Sequence, residues 1–184
     1  MDEAPIKKGW TWGKRLFLVG FVLFVGAWAW AFWYGFHRPK PEPLDARSER
    51  AATAVCRTAI DDLRRLPQVG GAPTVAIRVH RISEENAALS RVVDGLRAIH
   101  PTDHSGAEAL TGFTNDWKAL VAARRRYVDE LAATGKRPKF YIPIGNGEPI
   151  TIRMGEYTDI HHLVDCSSDS LQGEVVEGRR TYPA

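Results

Sequence analysis

The feature that most constrains this chain is an uncharged run from Leu16 to Phe36, LFLVGFVLFVGAWAWAFWYGF. As a helix, 21 residues rising 1.5 Å each reach roughly 30 Å, the thickness of a bilayer's hydrocarbon core. Lys14 and Arg15 close the run on one side, and His37, Arg38 and Pro39 on the other. Trp10 and Trp12 precede it, and Trp28, Trp30, Trp33 and Tyr34 fill its last turns. Such rings favour the headgroup region, where one edge is wet and the other apolar. The expectation is a single transmembrane helix over 16–36 whose partner is the lipid bilayer. A cleaved signal peptide is the rival reading, because Ala27-Trp28-Ala29 has the small-x-small pattern of a cleavage site. The apolar stretch nevertheless continues through Phe32, Trp33 and Tyr34 and outruns the usual apolar region of such peptides. Ala27 and Ala31 form a small-xxx-small pair that would let a second helix approach, in which case Trp28, Trp30 and Trp33 would also face a partner.

The charge balance limits what the rest can bind. Before the run lie Lys7, Lys8, Lys14 and Arg15 against Asp2 and Glu3, and after it come 21 basic and 20 acidic residues. A near-neutral domain lacks the basic footprint that grips a phosphate backbone, so nucleic acid is not expected as a partner. Basic residues flank both ends of the run, which leaves the positive-inside rule undecided. Cys56 and Cys166 are the only cysteines and lie far apart. A disulfide between them would require an oxidising compartment; the alternative is two free thiols facing the cytosol. The disulfide is the expectation, with residues 1–15 as a cytoplasmic flank and the domain outside the cell membrane.

His37 to Pro43, HRPKPEP, reads as a stiff spacer. The domain then spans 44–184, about 140 residues, enough chain to bury a core. Asp45 is a candidate N-cap, and Ala52, Cys56, Ala59, Leu63 and Leu66 mark one helix face that Pro67 ends. Pro73 opens a second helix with a seam at Val75, Val79, Ile82, Asn86, Leu89, Val93 and Leu96. Val75, Ile77 and Val79 also alternate like a strand, but the helical pattern runs on to Ile99. Asn86 in that seam needs a hydrogen-bond partner. After a polar loop, a third helix is expected over 113–133, with Phe113, Trp117, Leu120, Arg124, Tyr127 and Leu131 on one face and Gly135 as its stop. Phe140 to Ile142 favour strand, Asn146-Gly147 signals a hairpin, and a last short helix is expected near 152–163. The fold expected is mainly α: a membrane helix, a three-helix bundle, a short β-hairpin and a C-terminal segment tethered by the disulfide.

Asp116-Trp117, Arg125-Arg126-Tyr127, Phe140, Pro149-Ile150-Thr151, Tyr157 and Cys166, with Leu96-Arg97 and the helix of Cys56, together set up a second line of reading. In this order and spacing, over 51–171, the chain resembles a group of uncharacterised single-pass membrane proteins of actinobacteria. The resemblance implies an anchored helical domain and no particular activity. The sequence departs from that pattern in its basic third helix and in His161-His162.

Candidate chemistry is sparse. His161 and His162 are adjacent and would point about 100° apart on a helix. His100 and His104 are four apart, but Pro101 breaks the register between them. No four-ligand metal spacing, CxxC, CxxCH, GxSxG or phosphate loop occurs, and Gly145-Asn146-Gly147 lacks the rest of any such motif. No cofactor, metal, catalytic residue or small-molecule substrate is therefore expected. Arg124, Arg125 and Arg126 form the strongest charge run; they would meet anionic lipid or an acidic partner, or simply be solvated helix surface paired with Asp129 and Glu130, while Arg124, on the apolar stripe, would instead mark the bundle's end or a buried ion pair. Asp116 would cap a helix, pair with a basic residue or bind. The expectation is a membrane-anchored, non-catalytic interaction or accessory protein of the cell envelope, contributing to a larger membrane complex. The alternative is an envelope enzyme, or a ligand- or metal-binding module, built on His100, His104 and His161.

Overall fold

The computed structural model describes residues 12–36, 43–67 and 74–171. The chain divides into two units, Met1–Pro41 and Glu42–Ala184. The first contains helix α1, Trp12–Phe36. Within it Arg15–Gly35 is long and apolar enough to cross a membrane, with a mean hydropathy of 2.1. Its large apolar side chains are exposed throughout. The spacer readings at 37–42, the turn at Gly70-Gly71 and the helix start at Pro73 fall outside the described residues.

The second unit is mainly helical. Helix α2 covers Ala46–Arg65, α3 Val75–Arg97 and α4 His104–Thr134. The two-residue strands β1 (Ile144–Gly145) and β2 (Glu148–Pro149) form an antiparallel hairpin, and α5 (Ile150–Ile160) and a 3₁₀ turn (Val164–Cys166) follow. Asp45 caps α2 as expected, accepting from the N–H groups of Arg47 and Ser48. Thr74 caps α3, so the alternation at Val75 to Val79 belongs to a helix.

Helix α4 begins nine residues before the expected start at Phe113. Asp103 caps it by accepting from the Gly106 N–H, which turns the expected polar loop into a first helical turn. Its end at Gly135 is as expected. Phe140 to Ile142 do not form a hairpin strand: the ladder lies further on, around Asn146 and Gly147 at φ 56° and 85°. Both central residues of such a turn need positive φ, which the Asn-Gly pair tolerates. Helix α5 starts two residues earlier and stops sooner than the sequence suggested.

The core lies along facing helix stripes. Ala52, Cys56 and Ala59 of α2 meet Leu89, Val92 and Leu96 of α3, and α4 adds Phe113, Trp117, Leu120, Val121, Val128 and Leu131. Gly95 sets the spacing of α2 and α3, since a Cβ there would come within 2.8 Å of Val55. The C-terminal segment joins the same core through Met154, Leu163, Cys166 and Leu171.

Cys56 and Cys166 are bonded, 110 residues apart in sequence. Closing a loop of this length lowers the entropy of the unfolded chain by about 4–5 kcal/mol in free-energy terms. The double variant Cys56→Ala/Cys166→Ala is expected to lose most of that amount in denaturant unfolding. An unchanged unfolding midpoint would show that the helices hold the C-terminal segment unaided.

Candidate functional site

Two polar constellations and one groove stand out. The first lies between α3 and α4. Arg124 falls on the apolar stripe of α4 and is 2% exposed. Its Nε donates to Asn86 Oδ1 at 2.7 Å, and a terminal nitrogen donates to Glu85 Oε2 at 2.7 Å. Glu85 is 1% exposed and also accepts from Arg81 at 2.9 Å, while Arg81 reaches the Pro67 carbonyl at the end of α2. Burial pushes the Arg124 pKa down and the Glu85 carboxylate opposes this. The guanidinium starts so high that it stays charged. The partner that Asn86 needed is therefore Arg124.

The three arginines do not act as one run: Arg124 makes the buried ion pair that its place on the apolar stripe allowed. Arg124 is an interior residue, whereas Arg125 and Arg126 are exposed. Arg125 donates to Ser90 Oγ at 2.9 Å. Asp116 pairs with Arg153 of α5, which ties the C-terminal segment to α4.

The second constellation gathers where the domain begins. His161 is 2% exposed, and its Nδ1 accepts from the Leu44 N–H at 3.0 Å. Its ring lies against Tyr157, with centroids 4.1 Å apart. His162 takes φ 55°, the left-handed position after a helix, and the Leu163 N–H reaches back to the Thr158 carbonyl at 2.8 Å. This Schellman-type ending turns His161 inward and His162 outward and delivers Leu163 to the core. Asp45, at the cap of α2, also accepts from the Thr102 N–H.

Burial pushes the His161 pKa below the ordinary imidazole value, the neighbouring His162 adds to this, and Asp103 opposes it. The neutral ring is what the Leu44 contact requires, because only an unprotonated Nδ1 accepts. His100 and His104 are exposed. No group of three or more His, Cys, Asp or Glu side chains among the described residues could hold a metal ion. Nearby, the Trp117 indole N–H and the Tyr157 hydroxyl are enclosed without a hydrogen-bond partner among the described residues. Burial raises the Tyr157 pKa, so its phenol stays protonated.

On α1, Trp28 lies between Phe24 and Phe32, with ring centroids at 6.3 and 5.5 Å, and Trp30 stacks on Tyr34 at 5.6 Å. Trp28, Ala31, Phe32 and Gly35 line a shallow apolar groove. Ala27, Trp30 and Trp33 are exposed. On the domain, a groove runs between α3 and α4, lined in part by Arg97, Lys118 and Arg125. Lys118 was not singled out from the sequence, where one lysine on a helix face carries no distinguishing signal. Comparison with protein families, curated proteins and solved structures finds no match.

Two outcomes test this geometry. Arg124→Met takes the side-chain partner from buried Asn86 and one of the ion partners from buried Glu85, and is expected to cost about 3–5 kcal/mol in chemical unfolding. Adding Glu85→Leu should recover part of that loss. The second outcome concerns pH. The folded state resists protonating His161, so the unfolded chain takes up more protons just below about pH 6.5. The His161 contribution is complete above that pH and is lost as pH falls. Losses from Asp45 and Asp103 come lower, because hydrogen bonds hold both below the ordinary carboxylate value of 3.8. In His161→Asn, the amide oxygen replaces Nδ1 as acceptor and does not titrate. Its melting temperature should vary less between about pH 5 and 7 than that of the parent.

Proposed function

We propose that this chain is a membrane-anchored, non-catalytic interaction or accessory protein of the cell envelope. Its domain would be a tethered three-helix bundle lying outside the cytoplasm. The observation that carries this reading is the apolar helix Arg15–Gly35, all of whose large apolar side chains are exposed, in a chain that also has a separately folded unit. Exposed apolar surface over that length is stable in lipid and costly in water. The Cys56–Cys166 disulfide supports the extracytoplasmic side, because such bonds persist where the surroundings are oxidising. The packing of α2 on α3 and of α3 on α4 supports the bundle. The resemblance to single-pass membrane proteins of actinobacteria agrees with the same reading.

His161 argues against the histidine-centred alternative. Its ring is buried with Nδ1 taken up by the Leu44 amide, whereas His100 and His104 are exposed. Function would therefore lie in surfaces: the α1 groove beside Ala31, and the polar face of the domain.

The test is topology followed by assembly. A membrane-impermeant thiol reagent applied to intact cells should label an Ala184→Cys variant, and the chain should co-migrate with a larger complex in mild detergent. Labelling only after lysis would reverse the orientation. Migration as a single chain, with no partner recovered by crosslinking, would remove the accessory role.

A further inference from the structure

The start of the domain is held by a bond that a single proton reverses. Leu44 is buried there, and its side chain belongs to the core. Its amide donates to His161 Nδ1 across 117 positions of sequence. A neutral imidazole offers one bare nitrogen, whereas the imidazolium carries a hydrogen on both. On protonation the acceptor, 3.0 Å from the Leu44 nitrogen, becomes a second donor aimed at the first. The contact then repels, and one of its two sides must move.

The packing decides which side that is. His161 closes α5, with its own N–H held by the Tyr157 carbonyl and its ring against the Tyr157 ring. Just beyond it, Leu163 is fully buried with its N–H returned to Thr158, and Cys166 is bonded to Cys56. Leu44, in contrast, follows exposed Pro43, which has no N–H to donate. After Leu44 the chain is fixed independently, because Asp45 accepts from the N–H groups of Arg47, Ser48 and Thr102. Leu44 can therefore leave while α2 and its cap stay in place.

The neighbouring charges do not oppose this. On α5 the Tyr157 phenol is neutral, and His162 disfavours a positive ring beside it. At the cap of α4, Asp103 favours the cation, but its carboxylate is engaged by the Gly106 N–H and the Ser105 hydroxyl. Asp45 is engaged by backbone N–H groups, and Asp165 of the 3₁₀ turn is paired with Arg57. Loss of water is the largest effect on the ring, and the departure of Leu44 admits water to it.

We propose that His161 and Leu44 form a pH-released latch. The neutral ring ties the entry of the domain to its C-terminal segment. The charged ring lets Leu44 go, and the incoming chain then meets the domain first at Asp45. This adds a regulatory device to the anchoring proposed above, set by the acidity on the domain's side of the membrane. The open form takes up its proton near the ordinary imidazole value of about 6.5, and the closed form only below it. Opening is therefore suppressed above that pH and grows as pH falls, by up to about tenfold per pH unit.

The test is site-resolved hydrogen exchange on the full chain in detergent micelles, from about pH 7.5 to about 4.5, each rate divided by its intrinsic rate at that pH. Protection of the Leu44 amide should fall below about pH 6.5, by up to roughly tenfold per unit, while Leu163 and Cys56 keep theirs. In His161→Asn the amide oxygen accepts without titrating, so Leu44 should stay equally protected throughout. In His161→Phe the ring remains but the acceptor is gone, and Leu44 should be weakly protected at every pH. Retained protection at Leu163 shows that a variant folds. Leu44 protection independent of pH, the same fall in His161→Asn, or a fall at Leu163 as large as at Leu44 would overturn the latch. These readouts depend neither on a partner nor on the side of the membrane, so the anchored interaction role stands or falls separately on labelling and co-migration.

Discussion

The fold of the domain depends on one covalent constraint. Cys56 lies midway along the first helix of the domain, and Cys166 lies in a segment with little periodic apolar sequence of its own. Helix α5 is short, and the 3₁₀ turn after it is shorter. Isolated helices of that length are marginal in water, so their order comes from what they are fastened to. The disulfide fastens one end of the segment to α2, and the Asp116–Arg153 pair fastens its start to α4. Between these two points Met154 and Leu163 reach full burial.

The second organising element is an ionic group in an apolar place. A buried charge is costly unless it is paired and fully hydrogen-bonded. Arg124 meets both conditions only when α3 and α4 hold one register, because Glu85 and Asn86 are on the opposite helix. A slide of one turn would part Arg124 from both Asn86 and Glu85 and leave Glu85 to its bond from Arg81 within α3. The hydrophobic residues of the seam, being interchangeable in shape, would tolerate such a slide better. The pairing therefore specifies alignment more than it adds net stability.

Much of this was legible in the sequence where it depends on short-range regularity. The Leu16–Phe36 run, the four-three spacing of α2 and α3, the Asp45 cap and the Asn146-Gly147 turn each announce themselves within a few residues. The start of α4 did not, because its first turns, HSGAEALTG, are small and polar and resemble a loop. Only the Asp103 cap marks the start, and it was read as part of that loop. Long-range pairing was legible from one side only. Asn86 and Arg124 both looked misplaced on apolar faces, yet nothing in the sequence said that each answers the other. Glu85, which completes the set, sits beside the seam and drew no notice. The α3–α4 groove was hidden for the same reason: its cations come from two helices and form a pattern only once the register is fixed.

The junction at Leu44 gives the domain a mechanical character. Its amide is held by His161, which sits five residues before Cys166 and so is tied through the disulfide to the middle of α2. Asp45, the next residue, grips the backbone at Thr102, just ahead of α4. Tension arriving along the chain from the apolar helix would therefore not peel α2 away from its first turn. It would pass at once into the C-terminal segment and the loop before α4, and from there across the covalent bridge back into α2. The entry point behaves as a clamp: tugging on the tether loads several elements together, and the domain yields as a whole or not at all.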